Sequence, residues 1–421
     1  MTSLLHGLHA GWRLPNDLSD GDRRTVVAML SNGLAKALAR GGFVALSVIY
    51  LSSGLRIDEQ TVAVAVFIAG AFGLVGSLVG GFVADHFSPK AVTVGSSCGV
   101  AVGYGALVFC DDWLMAVIAF SVVAAFDRSS AATLATWIGQ RLPTAAATRC
   151  RALMRAVGNL GIAIGAALAA VVLVLPDPTP YGAAFLAMAV AEMGGIFLLL
   201  RAPRPKPVDA REAGEGSPLS VFANHGFTVF VLGIAALSSF YLILDFLLPL
   251  WVSTGTEDRY VLIPVAIVVN TVLVVLLQVP ISSLADTPSR SARALALAGG
   301  LLFGATALFA SSTLVPDLPG AALFCGAVVV LTLAELLTSA AGWTLSYAYA
   351  PPHRIGAYQG VFGFGTSLGV MVAPVALTAI VIRPSVGETA VGWLILGGAY
   401  AMIGGLLWVV VSRRFRAQKH S

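Results

Sequence analysis

Charge is what this sequence has least of. Only 11% of its 421 residues are Asp, Glu, Lys or Arg, and 57% are hydrophobic. A soluble chain carries about a quarter charged residues, so too little polar surface remains here to face water. A mean hydropathy of +0.88 agrees, and the composition points to a chain that crosses a bilayer many times. Histidine is also scarce. His6, His9, His86, His225, His353 and His420 lie near the termini or the ends of apolar runs, never in one cluster. Cys98, Cys110, Cys150 and Cys325 show no metal-ligand spacing and read as small buried hydrophobes. No Walker loop, dinucleotide glycine motif, His-Glu-x-x-His or Ser-His-Asp set is present, and "GVFGFG" at 360–365 has no strand before it. Nothing therefore points to an enzyme, a metal site or a bound cofactor. The net charge of +4 does not imply nucleic-acid binding, because the position of the cations matters more than their sum. Residues 1–24 hold Asp17, Asp20, Asp22, Arg23 and Arg24 and no apolar core, so no cleavable signal peptide is expected.

What is present is a series of apolar runs, each long enough to span a bilayer as a helix. Twelve are read, at 25–53, 61–83, 91–110, 114–138, 152–175, 181–200, 226–252, 260–282, 293–313, 319–349, 355–381 and 389–411. The longest polar interruption, "RAPRPKPVDAREAGEGSPL", reads as a linker over 201–225 between an N-terminal bundle at 1–200 and a C-terminal bundle at 226–421. Lys and Arg placement predicts both termini inside. Lys90, Arg141, Arg149, Arg151, Arg201, Arg290 and Arg354 then fall on the inner side, while Asp58, Asp111, Asp112, Asp317 and Glu388 fall on the outer. Six of the seven tryptophans (Trp113, Trp137, Trp251, Trp343, Trp393 and Trp408) lie near run ends, as interfacial aromatics do. The halves echo each other: "VAD" at 83–85 recurs as "LAD" at 284–286, Arg149, Ala152 and Gly158 as Arg354, Ala357 and Gly363, and Trp137 as Trp343. The fold class expected is an all-α membrane protein of twelve transmembrane helices in two pseudo-symmetric six-helix bundles.

Ionisable groups deep in a bilayer cost a few kcal/mol each and call for a reason. They are Lys36 and Arg40 in the first run, Asp127 and Arg128 in the fourth, Glu192 in the sixth, Asp245 in the seventh and Glu335 in the tenth. Apart from Glu192, they occupy the first helix of each of four three-helix units. Lys36 and Arg40, four apart, share a helix face. Asp127 and Arg128 point about 100° apart, so one is expected to line a cavity while the other pairs with a neighbouring helix. These charges either fix helix packing as pairs or carry protons and contact a polar substrate in a wet cavity. Lys36 could also snorkel to the inner mouth, and Glu192 is read as structural. Asn32, Asn159, Asn270, Gln278 and Gln359 are further candidates for cavity lining, or else for interhelical hydrogen bonds.

"GGFVADHFSPK" at 80–90 resembles the loop signature of the major facilitator superfamily, Gly-x-x-x-Asp-Arg-x-Gly-Arg-Arg. Gly81 and Asp85 match, and Lys90 keeps the last cation. His86, Ser88 and Pro89 replace the residues between, and Asp286 survives in the second half. The resemblance implies a cytoplasmic latch in which the small residue allows close approach and the acid pairs with a neighbouring helix. Arg128, followed by "SSAATLA", is similar to the superfamily's fourth-helix arginine, which the family associates with proton coupling. "RCRALMRAVGNLGIAIGAALAA", with Arg155, Gly161 and Gly165, looks like the antiporter pattern of the fifth helix, whose glycines the resemblance places against the other half. Gly369 and Pro374 form a comparable pattern in the eleventh run.

The resemblance implies a secondary active transporter of the bacterial inner membrane, similar to the twelve-helix drug:proton antiporters. The expected activity is export of a small, partly apolar organic compound by proton antiport with alternating access. Proton-coupled uptake is the alternative within transport, and a non-transporting sensor or scaffold the alternative outside it. A proton gradient would be the energy source, with no cofactor. The expected partners are the small-molecule substrate, protons and lipid, with no nucleic acid, and the expected state is a monomer.

Overall fold

A computed structural model describes residues 18–173, 180–203, 218–253, 262–315 and 317–417. Most of the 201–225 linker and the N-terminal residues before 18 lie outside the described residues. Twelve long helices follow one another, and no strand occurs among the described residues. They are α1 (Asp20–Ile49), α2 (Glu59–His86), α3 (Pro89–Leu107), α4 (Trp113–Arg141), α5 (Thr144–Leu173), α6 (Pro180–Leu200), α7 (His225–Leu237 and its continuation to Ser253), α8 (Leu262–Ser282), α9 (Pro288–Leu314), α10 (Asp317–Ala348), α11 (Ile355–Val381) and α12 (Val386–Ala417). Eleven are long and apolar enough to cross a membrane. The exception is α3, where Lys90, Thr93, Ser96 and Ser97 dilute the apolar run. The three hydroxyls are buried against protein.

Several helices begin before their apolar run does. Ser19, Asp58, Asp112, Asn224 and Thr287 each accept a hydrogen bond from a backbone N–H of the first turn, at α1, α2, α4, α7 and α9. These caps satisfy donors that helix starts leave open, so the polar turns outside the apolar runs stay helical. Two helices depart from α geometry near their second ends. A π-helical turn, Tyr50–Gly54, follows α1. In α7 a 3₁₀ turn at Ser238–Phe240 and a π turn at Ile243–Leu247 precede the last piece, Leu248–Ser253. Hydropathy reads both as plain spans, because an extra residue per turn leaves composition unchanged.

The described residues form two compact units. One holds residues 18–218 with 350–364, and the other holds 219–349 with 365–417. In the first unit α1 packs closely on α5 and α6, and α4 on α2 and α3. Glycine permits the closest approaches. A Cβ on Gly76 would fall on the carbonyl of Ala125, and one on Gly41 on that of Ile162. In the second unit α9 packs on α10 and α12, with Gly299 and Gly404 in mutual contact. Trp251, Phe309, Phe324 and Trp393 form an aromatic cluster there, with Trp251 stacked on Phe324 at 6.2 Å. The tryptophans therefore divide: Trp137, Trp251 and Trp393 are buried core, and Trp113 and Trp408 are exposed as interfacial residues would be.

The same packing device recurs in both units. On α5, Gly161 and Gly165 meet Leu34 and Leu38 of α1. On α11, Gly365 and Gly369 meet Val231 and Ala235 of α7. In each pair the glycines are four apart and so are the residues they touch. That is the small-xxx-small contact on which helix backbones approach closely, and its repetition supports the duplicated plan.

Candidate functional site

In the first unit the intramembrane charges converge. Lys36 Nζ donates to Ser130 Oγ at 2.9 Å and lies 3.5 Å from Glu192 and 3.8 Å from Asp127. It spans from α1 to α4 and α6 at once and does not snorkel. Glu192 is 1% exposed, and both the Lys36 ammonium and the Ser97 hydroxyl stand beside its carboxyl. Arg40 and Arg128 lie within electrostatic reach of Asp127, and Tyr104 of α3 is buried beside the group. Counting Lys36, Arg40 and Arg128 against Asp127 and Glu192, the cluster carries one net positive charge. Asp127 pairs with Lys36 while Arg128 lies over Gly73 of α2, as their divergence along the helix requires. Asn32, one turn before Lys36, is fully buried against Gly195 of α6. Asn159 is half-buried on α5.

A ladder of hydroxyls holds α3 against α4 beneath this cluster. Thr93 donates to Thr133 at 2.9 Å, Ser96 and Ser129 meet at 2.8 Å, and Ser97 and Ser130 at 3.4 Å. The ladder fixes Ser130, which in turn fixes Lys36. Sequence reasoning missed it. The available signal was a serine pair in each of two neighbouring apolar runs, Ser96–Ser97 and Ser129–Ser130. A separate cavity of ≈ 240 Å³ between α1, α5 and α6 is lined by Leu38, Gly42, Leu46, Gly165, Leu168, Met188 and alanines. With no polar side chain in its wall, it does not handle charge.

The second unit has a smaller polar centre. Asn270 Nδ2 of α8 donates to Glu335 Oε2 at 2.9 Å and to Thr332 Oγ1 at 3.0 Å on α10. Tyr241 of α7 and Ser339 of α10 meet at 3.0 Å one turn away. Asp245 is exposed within the π turn of α7, where the widened turn re-aims a side chain that a regular helix would point elsewhere. Gln278 is fully buried, and neither of its amide atoms finds a partner.

At the end of the first unit that carries Asp85, a different constellation forms. Asp85 is 3% exposed and accepts from the backbone N–H of Gly356 at 2.6 Å and of Ala357 at 2.7 Å, in the first turn of α11. A carboxylate at a helix N-terminus meets open donors and the positive end of the helix dipole. Gly81 lies against Gly356 and Gly360, where a Cβ would clash. Ser77 donates to the Gly360 carbonyl at 3.1 Å.

A family model for the Major Facilitator Superfamily matches residues 27–374. The chain belongs to the Major Facilitator Superfamily. It is 24% identical over 375 residues to the uncharacterized MFS-type transporter YdeE of Escherichia coli (strain K12), covering 85% of this chain and 90% of that one. Among solved structures, a bacterial homologue of the iron transporter ferroportin in an outward-facing state aligns with a TM-score of 0.71 at 14% identity, over 92% of this chain and 99% of that one. The proton:xylose symporter XylE aligns with a TM-score of 0.68 at 13% identity, over 92% and 95%. This chain is thus a multi-pass membrane transporter with the major facilitator fold.

Several superfamily expectations shift once residues are placed. Gly161 and Gly165 pack on α1 within their own half and not against the other half, because Leu34 and Leu38 present the backbone they touch. Gln359 makes an interhelical hydrogen bond: its Oε1 accepts from Arg151 Nη1 of α5 at 2.9 Å, beside Asp85's end of the unit. Lys90 donates to the Leu200 and Ala202 carbonyls at 2.8 and 2.5 Å, capping the end of α6. Asp286 pairs locally with Arg290, four residues on, at 3.0 Å. Arg155 sits half-buried on α5 and is engaged with its surroundings.

Proposed function

We propose that this transporter exports a small, partly apolar organic compound in exchange for protons. It would work by alternating access in a bacterial cytoplasmic membrane, with both termini inside, as a monomer, with the proton gradient as its energy source and no cofactor. The observation that carries this reading is Lys36 held between Asp127, Glu192 and Ser130 in an otherwise apolar bundle. A charge network of this kind in a membrane calls for a function. A proton on Asp127 removes one of the two negative charges and frees part of the hold on Lys36. A compound that needs the ionised carboxylate as hydrogen-bond acceptor or ion partner is displaced by that proton, and that competition is antiport. At 100 mV each net inward charge contributes about 2.3 kcal/mol.

Export of ethidium, a partly apolar dye, from cells producing the protein tests the reading. Export should stop on adding a protonophore and should fall at least tenfold in Asp127→Asn that still reaches the membrane. Export that survives the protonophore, or an Asp127→Asn variant as active as the parent, contradicts it. Proton-dependent accumulation inside the cell would reverse the direction in favour of uptake.

A further inference from the structure

At the end of the second unit where α7 begins and α10 and α12 finish, a phenol is held in place with nothing to bond. Tyr349, the residue after α10, is 7% exposed, and its ring is clamped by Phe227, Phe230 and Phe415 at centroid distances of 5.7, 5.6 and 5.3 Å. These contacts fix where the hydroxyl points, which is at the start of α7. The oxygen lies 3.9 Å from where a Gly226 Cβ would stand, and it has no hydrogen-bond partner. A buried phenol normally has one. The first turn of α7 leaves donors open at the same spot. Asn224 Oδ1 accepts the N–H of Phe227, while the N–H groups of His225 and Gly226 find no acceptor among the described residues. Cations gather at this end. Arg414 of α12 lies within electrostatic reach of the phenol, is exposed, and forms no ion pair among the described residues. Arg413, Arg416 and His225 are exposed as well. Donors without acceptors beside cations without acids call for an anion.

We propose that Tyr349, Arg414 and the first turn of α7 form a binding site for the phosphate of an anionic membrane phospholipid. The phosphate oxygens accept from the Tyr349 hydroxyl and the open α7 amides, and Arg414 balances their charge. The flanking surface says why the anion belongs to a lipid. On α12 the exposed side chains that lead to the arginines are apolar: Leu406, Trp408 and Val409. On α7, Val229 and Leu232 are exposed next to the same end. Trp408 stands about 9 Å from Arg414 along the helix, so a tryptophan at the interface puts the arginine at headgroup depth. Acyl chains then lie on apolar surface directly below the phosphate, a surface that a free anion would not use. Arginines at this place could simply cap the α12 carbonyls or follow the charge bias of one membrane face. Neither role needs a buried phenol aimed at open amides. The bound headgroup ties the ends of α7, α10 and α12 together.

Native mass spectrometry of the purified full chain tests this, with dioleoylphosphatidylglycerol, dioleoylphosphatidylcholine and inorganic phosphate as the probes. The parent should hold one phosphatidylglycerol about fivefold tighter than phosphatidylcholine, or more. Tyr349→Phe keeps the ring and its packing and removes only the hydroxyl. It should weaken phosphatidylglycerol binding about threefold, and Arg414→Gln about tenfold. Arg24→Gln removes an exposed cation at the start of α1 and should leave binding unchanged. A Tyr349→Phe protein that binds phosphatidylglycerol as the parent does overturns the site. So does an equal loss in Arg24→Gln, which would mean that net charge alone attracts the lipid. Inorganic phosphate that binds as tightly as the lipid, and loses as much in Tyr349→Phe, overturns the lipid assignment in favour of a free anion. No transport enters the measurement, so its outcome is independent of the proposed exchange with protons.

Discussion

In the N-terminal half α2 and α4 meet backbone to backbone. Gly76 and Gly80 leave no room for a side chain against Ala125 and Ser129. In the C-terminal half the corresponding pair, α8 and α10, is joined by side chains, Asn270 reaching Thr332 and Glu335. The N-terminal half gathers five charges, Lys36 at their centre, while the C-terminal half offers one hydrogen-bonded acid and an exposed Asp245. Asp85 is buried on two backbone amides, while Asp286 is bridged to a half-exposed Arg290. Duplication thus preserved the backbone plan, seen in the matching glycine pairs of α5 and α11, while the polar chemistry diverged. A plan set by close backbone contact tolerates little change at the contact itself, whereas side-chain networks can be rebuilt one residue at a time.

The sharpest test of the shared plan is to fill its contacts. Gly76→Leu and Gly369→Leu each drive a side chain into a facing carbonyl. Each should cost about 4 kcal/mol or more and give no monodisperse protein on size-exclusion chromatography. If one half tolerates the change, the contact is not equivalent in the two. Next in size is the side-chain joint of the C-terminal half. Asn270→Leu removes a donor to Glu335 and should destabilise by about 2–3 kcal/mol in a denaturant titration. Asp85 and Asp286 separate the halves further. Asp85→Asn should cost about 1–3 kcal/mol, since Gly356 and Ala357 donate to different carboxylate oxygens and the amide nitrogen that replaces one of them cannot accept. Asp286→Asn should stay within about 0.5 kcal/mol, as an exposed ion pair does. Equal effects would erase the distinction.

The smallest effect concerns a cap outside the membrane. The Thr61 hydroxyl and amide hold the Asp58 carboxyl below its ordinary 3.8. A lowered value stabilises the folded state above the unfolded pKa, and that contribution is lost as pH falls through the folded one. Asp58→Ala should therefore lower the melting temperature slightly at pH 7. The difference from the parent should vanish once the pH is below the folded value.

Most of the fold was legible in the sequence because apolar length alone identifies a membrane span. Among the described residues each of the twelve runs falls mainly on a helix, even where caps such as Ser19 and Thr287 extend it. The π turns at Tyr50 and Asp245 were not legible, because composition is blind to one inserted residue. The site was half legible. Lys36, Arg40, Asp127 and Arg128 stand out as charges among apolar residues, and the structure brings them together. Periodicity tells which face of its own helix a residue occupies and not which helix lies opposite. For that reason the sequence reads Glu192 as structural without naming Lys36 as its partner, leaves Gln359 between cavity lining and the interhelical hydrogen bond it makes with Arg151, and reads Gly161 and Gly165 as the inter-half seam although they face α1.

The central claim is that Asp127 couples proton movement to the movement of a compound. Its most direct test is counter-flow in proteoliposomes loaded with a pH-sensitive dye and given an acidic lumen. Ethidium added outside should speed alkalinisation of the lumen as it enters. Asp127→Asn reconstituted to the same density should show no such acceleration. Ethidium entry without proton efflux in the parent protein, or equal proton efflux in Asp127→Asn, would contradict the account.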